Sequence, residues 1–89
     1  MRAVVTVIGK DRTGIIYNVS KILAESNVNI EDISQTVMDD FFTMIMLVNL
    51  DNMSIDFNKL KTQLEQIADT IGMSIRIQHE DLFNAMHTI

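Results

Sequence analysis

Four apolar runs of strand character are interleaved with two stretches of helical period, and that order leaves few folds open. Residues 2–8 contain Val4, Val5, Thr6, Val7 and Ile8, a β-branched run that stops at Gly9. Ile15, Ile16, Val19, Ile22 and Leu23 then recur at the spacing of one helix face, with Thr13 the expected N-cap and Asn27 near the helix end. Residues 30–38 and 41–50 read as two strands joined at Asp39-Asp40, a short hairpin turn. Phe57, Leu60, Leu64, Ile67, Ala68 and Ile71 form a second helical stripe. Asp56 or Ser54 is placed to cap its start, and Gly72 stands where a left-handed residue would end it. In the last strand, ending at His79, Met73, Ile75 and Ile77 face one way and Ser74, Arg76 and Gln78 the other. Beyond it Leu82, Phe83, Met86 and Ile89 have the spacing of a short amphipathic helix.

The order is βαββαβ, an α+β, ferredoxin-like plan: a four-stranded antiparallel sheet with two helices on one face, plus the short C-terminal helix. It divides the chain into a domain over residues 1–79 and a tail over residues 80–89. Strand polarity gives the sheet order. The first strand sets Val4 and Ile8 against Ala3, Val5 and Val7, and the third sets Phe41, Ile45 and Leu47 against Phe42, Met44, Met46 and Val48. Strands apolar on both faces want cover on both sides, which places the first and third in the middle, flanked by the fourth and second. The helices cover one face. The other is expected to carry Met and Phe from the third strand and Val or Ile from the first, beneath either the tail or a second subunit.

A chain of 89 residues buries only roughly 60–65 % of its unfolded surface, so its core is thin. It has no Cys, hence no disulfide and no thiolate metal site, and oligomerisation is the usual remedy for a small domain without staples. The formal charge is −5, from 12 acidic against 7 scattered basic residues, a balance that disfavours nucleic acid and anionic membrane as direct partners. The first apolar run is too short for a signal peptide or a membrane span, so the chain reads as cytoplasmic.

Most polar candidates have a plain structural reading. Met44 and Met46, two apart on a strand, read as core rather than as metal ligands. His79 and His87, with Glu80 and Asp81, read as solvated tail. Asp39 and Asp40 suit a turn better than a carboxylate pair at work. No Ser has a His placed beside it by sequence, so no catalytic nucleophile stands out. Neither GxxxxGK[ST] nor GxGxxG is present, and no cofactor is implied.

One stretch differs: Gly9-Lys10-Asp11-Arg12-Thr13-Gly14-Ile15, between the first strand and first helix. Gly9 and Gly14 allow close approach of the backbone to a ligand. The free amides at the helix start favour a carboxylate. Asp11 offers a counter-charge for an ammonium and Arg12 a second anion contact. On spacing alone the same residues also read as a tight turn with two solvated charges.

The run DRTGIIYNVSKILAESNVNIEDISQ, residues 11–35, resembles the core signature of ACT domains: a loop ending in Gly, an apolar helix, then an N-x-N-I entry into the second strand. The continuation MDDFFTMIMLVNL is similar to small single-domain ACT proteins and to the ACT domains of the glycine-cleavage-system transcriptional repressor. The resemblance implies a regulatory module that binds a small metabolite, commonly an amino acid, at a subunit interface; the doubly apolar third strand in so short a chain points to a homodimer or higher homo-oligomer, with a regulated protein as a further expected partner. In amino-acid-sensing relatives the polar residue three before the loop Gly contacts ligand. That position is Asp11 here, where those relatives tend to carry a neutral Asn. The loop Gly matches Gly14, and the Asn that enters the second strand, often facing the site from the partner chain, matches Asn29. The expected ligand-binding set is therefore Asp11, Arg12, Thr13, Gly14, Ile15 and Asn29, with no catalytic residue.

Three alternatives compete. A dimeric protein–protein interaction module without a metabolite would use the apolar open face. An acylphosphatase-like enzyme would need an Arg in a glycine-bracketed anion loop; Arg12 and Gly14 supply only part of that pattern. An RNA-recognition domain needs alternating exposed aromatics and a basic sheet, whereas Phe41 and Phe42 are adjacent and the charge is acidic.

Overall fold

The computed structural model describes residues 1–87, with side chains described as far as Ala85. Its elements are β1 (Arg2–Lys10), α1 (Ile15–Glu25), β2 (Asn29–Met38), β3 (Phe41–Asn49), α2 (Phe57–Ile71), β4 (Met73–His79) and α3 (Glu80–His87). The sheet order is β2-β3-β1-β4 with every pairing antiparallel, so the two strands apolar on both faces are indeed central.

Register decides which half of each central strand meets the helices. Val5 pairs with Met46 and with Ile77, and Val7 pairs with Met44 and with Ile75. These side chains share one face and join Val19 and Leu23 of α1 and Leu60 and Leu64 of α2 in a single core. The sulfur-bearing side chains of β3 thus lie under the helices, not on the open face as the strand's polarity led us to expect. Pairing to the small and β-branched set Ala3, Val5 and Val7 leaves room there for Phe42, Met44 and Met46, which are all buried. The open face carries Val4, Thr6 and Ile8 from β1 and Phe41, Thr43, Ile45 and Leu47 from β3.

Helix ends follow local chemistry. Asp56 caps α2, its side chain accepting the Lys59 amide at 2.7 Å, and Gly72 ends that helix with φ +70°. The end of α1 is a Schellman turn: the Val28 amide donates to Leu23 O at 2.9 Å and the Asn27 amide to Ala24 O at 3.1 Å. Asn27 takes the left-handed position with φ +58°, one of the few non-glycine residues suited to it. The start of α1 departs from expectation. Its N-cap is Gly14, with φ +91° and no side-chain cap, and Thr13 lies exposed outside the helix. Strand β1 also runs through Gly9 to Lys10 rather than stopping at Gly9, because both residues remain paired to β3.

Helix α3 leaves β4 directly and packs on β1 and β4. Val4 lies on the open face, outside the main core, yet is only 6 % exposed; α3 supplies its cover. Phe83 is half-buried, whereas Leu82, expected to pack, is 52 % exposed. The expected contacts of Met86 and Ile89 lie outside the described residues. The helix start is held by Arg2, which bonds Glu80 through Nη2 at 2.9 Å and approaches Glu31 at 3.6 Å. The Glu80 hydrogen bond and charge raise Arg2 further above its ordinary pKa. Nearby, the N-terminal ammonium donates to Asp51 and holds that carboxyl below its usual range.

Removing residues 81–89 uncovers Val4 and the Phe83 contact. Stability should fall by about 1.5–3 kcal/mol, the value of one large apolar side chain leaving cover. Urea denaturation measures this, and an unchanged midpoint would mean that α3 does not shield the sheet.

Candidate functional site

The loop between β1 and α1 is tied down on two sides. The Asp11 amide donates to Asp40 O at 2.7 Å, fastening the loop to the β2–β3 hairpin, whose own turn is closed by Asp39 at φ +60°. Lys10 Nζ lies 3.9 Å from the Asp40 carboxylate, an exposed pair that adds little. On the other side Arg12 Nη1 donates to Ile71 O at 2.7 Å. Ile71 is the last residue of α2, so the guanidinium satisfies a terminal carbonyl and meets the negative end of that helix.

Between these ties the helix start is open. Gly14 O accepts the Asn18 amide at 3.0 Å and Asn18 Nδ2 at 2.7 Å, which fixes the first turn. No side chain caps α1 and no acidic residue lies in its first turn, so the amides from Ile15 to Tyr17 point outward without a partner from the helix. Beside them is a shallow cavity of about 260 Å³ lined by Asp11, Arg12, Gly14, Ile15, Ile16, Tyr17 and Phe42. Its lining brings together the exposed Asp11, the start of α1, and the buried apolar residues Ile15 and Phe42.

Four of the six residues expected at the site therefore meet around one cavity: Asp11, Arg12, Gly14 and Ile15. Thr13 does not line it. Asn29 is absent from it altogether: it opens β2 opposite Asn49, at the end of the sheet marked by Arg2, and lines a separate hollow with Asn27 and Asn52. Within one chain it cannot reach a ligand beside Asp11. Gly9 has a different task from the one expected. A Cβ there would lie 2.6 Å from Met73 Sδ, so the missing side chain admits core packing rather than a ligand. Gly14 does serve the loop, since its φ of +91° is a backbone shape that other residues rarely adopt. Ile16, Tyr17 and Phe42 were not anticipated. The first two could have been found one helical turn beyond the loop, while Phe42 enters only through strand pairing.

His79, read above as solvated tail, is instead part-buried and stacks its ring on Phe57 with centroids 4.3 Å apart. Among the described residues no cluster of His, Asp and Glu is arranged to hold a metal ion. No helix among them is long and apolar enough to cross a membrane.

Arg12 acts here on α2. Arg12→Ala should cost about 1 kcal/mol of stability through the lost charged hydrogen bond at a solvent-exposed position, while leaving any ligand affinity at the Asp11 cavity within twofold. Paired denaturation and calorimetry separate the two effects; a tenfold loss of affinity at unchanged stability would make Arg12 a ligand contact.

The ACT domain family model matches residues 2–78. A UPF0237 protein of Methanocaldococcus jannaschii is 54 % identical over 88 residues, covering 99 % of this chain and 98 % of the relative. The solved ACT domain protein of Streptococcus pneumoniae superposes with a TM-score of 0.81 at 44 % identity, over 98 % of each chain. A structure designated a glycine cleavage system transcriptional repressor matches with a TM-score of 0.73 at 23 % identity, over 86 % of this chain and 44 % of that one, a likeness of fold. With its sheet order, its glycine-ended loop and its end-to-end match to such relatives, the chain belongs to the ACT domain family.

Proposed function

We propose that this protein is a regulatory module that homodimerises and binds a small amino-acid-like metabolite at the Asp11 cavity, without catalysing a reaction. The observation that carries the reading is the uncapped start of α1 beside a cavity of about 260 Å³ that Asp11 also lines. A zwitterion complements it: the carboxylate takes the amides of Ile15 to Tyr17, where the helix dipole favours negative charge, and the ammonium takes Asp11. Ile15 and Phe42 offer an apolar floor for a short side chain.

The edge strand β2 supports the dimer. Every residue from Glu31 to Asp40 is exposed, among them Ile33, Val37 and Met38, although Ile33 and Val37 lie on the helix-covered side. A long unpaired edge with apolar side chains is a template for another strand. Antiparallel pairing of two β2 strands about the middle of Asn29–Met38 sets Asn29 of one chain beside Met38 of the other. Met38 leads into the hairpin that holds the Asp11 loop, so such a dimer carries the partner's Asn29 to the end where the cavity lies. Exposed Ile16 and Tyr17 add apolar surface from the adjoining helix.

Titration calorimetry against a panel of amino acids tests the ligand. Asp11→Asn, which removes charge and keeps shape, should weaken the best ligand by about tenfold or more, as loss of a charge-assisted contact does. Equal affinity would show that the ammonium does not meet Asp11, and silence from the whole panel at millimolar concentration would favour a module that binds a protein partner instead. Sedimentation tests the dimer. Wild type should run at twice the chain mass, and Ile33→Lys, which places like charges at the centre of the paired edges, should run as a monomer with an unchanged circular dichroism spectrum. A dimer that survives Ile33→Lys would be built through another surface.

A further inference from the structure

On the sheet face opposite α1 and α2 lies a second cavity, larger than the first at about 420 Å³. Thr6, Ile8, Ile45, Ser74, Arg76 and Gln78 line it from the sheet, and Phe83 lines it from α3. Register explains the grouping. Arg76 pairs with Thr6, which pairs with Ile45; Ser74 pairs with Ile8 in the row on one side and Gln78 with Val4 in the row on the other, so the six side chains emerge on one face in three adjacent rows. The volume is in the usual range for small-molecule sites, roughly 300–1,000 Å³.

The chemistry of this lining is asymmetric. Ile8, Ile45 and the Phe83 ring make an apolar end, and both isoleucines keep more than two-fifths of their surface exposed, at 47 % and 41 %. At the other end Arg76 has no hydrogen-bond or ion-pair partner among the described residues, and no acidic side chain lines the cavity. Arg2, by contrast, is engaged by Glu80 and Glu31, and Arg12 by a helix carbonyl. Thr6 stands opposite Arg76 in the register and Ser74 two residues before it on the same face, so both hydroxyls join it in the lining and add donors. An unpaired guanidinium fork beside two hydroxyls matches a carboxylate, and the isoleucine–phenylalanine end matches a short hydrocarbon tail.

We propose that this cavity is a binding site for a small amphipathic carboxylic acid, its carboxylate on Arg76 and its apolar tail between Ile8, Ile45 and Phe83. The site is separate from the Asp11 cavity, shares no residue with it, and does not need the α-ammonium that Asp11 would bind. It also gives α3 a role beyond covering Val4: the helix supplies a wall without which the apolar end would be a bare sheet.

The test is a resonance titration of the full-length labelled protein with isocaproate, and with the uncharged isocaproamide as control. Isocaproate should give saturable shifts at Thr6, Ile8, Ile45 and Ser74, with the residues of the Asp11 cavity unmoved. Isocaproamide and Arg76→Gln should each weaken binding by about tenfold or more, the effect of losing a charged hydrogen bond. Arg76→Lys should recover only part of it, since an ammonium lacks the fork. Phe83→Ala should weaken the acid and the amide alike. Equal affinity for acid and amide, unchanged affinity in Arg76→Gln, or no saturation overturns the proposal. So do shifts confined to Asp11–Tyr17, which would leave the amino-acid reading of that loop standing. If the open-face resonances instead move with protein concentration alone, and Ile45→Arg abolishes a dimer in sedimentation, a second copy occupies this face and the proposal fails.

Discussion

Strand β1 is gripped on both edges, by β3 and by β4, and the positions of the functional residues descend from that grip. Because pairing to β3 persists to Lys10 and Phe41, the chain leaves β1 level with the β2–β3 hairpin, and the next amide, that of Asp11, meets Asp40 O. Because the other neighbour is β4, the helix that feeds it ends beside the same loop, and Arg12 finds the Ile71 carbonyl. The loop is thus anchored to whatever flanks β1 on either side.

The same grip sorts the two faces of the sheet, and here sequence patterning had a definite limit. Alternation distinguishes the faces of a strand only when one face is polar. In β4 it did: Met73, Ile75 and Ile77 are buried and Ser74 and Arg76 are not. In β3 both sets are apolar, so nothing in the strand itself says whether Met44 and Met46 or Ile45 and Leu47 meet the helices. That choice is made by register with β1, a long-range property. Element order, the sheet order and the Asp56 and Gly72 caps were legible because each rests on local period, polarity or turn chemistry. Gly14 as N-cap was harder to see, because Thr13 is the better capping residue by type; the chain uses the left-handed freedom of glycine instead, leaving the helix start unblocked.

The candidate site divides along the same line. Asp11, Gly14 and Ile15 were readable because a contiguous loop carries its own geometry wherever it is placed. The true partner of Arg12 was not, because the Ile71 carbonyl is 59 residues away in sequence. Gly9 looked like part of the loop by adjacency, yet its Cβ position is filled by Met73 Sδ, a contact made across the sheet. Asn29 is the most instructive member. Its place in the family pattern associates it with the loop, while the fold of one chain sends it to the far end of β2. The proposed β2-edge dimer would bring the two together.

That reconciliation bears on how such a module would signal. The proposed ligand cavity and the proposed dimer edge are joined by one short structural link: Asp11 is bonded to Asp40, and Asp40 closes the hairpin that ends β2. In the proposed complex, a ligand held by Asp11 and the α1 amides would stiffen a loop fastened to the strand whose edge is proposed to pair with a partner. If the partner's Asn29 also touches that ligand, binding and dimerisation share a free energy, and reciprocity requires each to strengthen the other by the same factor. The open face stands outside this link. Ile8, Ile45 and Arg76 belong to β1, β3 and β4 and point away from the helices, so a molecule bound there leaves the β2 edge untouched. Its influence would travel instead through α3, which shares Phe83 with the cavity and is pinned to β1 by Arg2 and Glu80. On these two proposals one small sheet would carry two separate levers, a hairpin at the β2 edge and a helix across the opposite face.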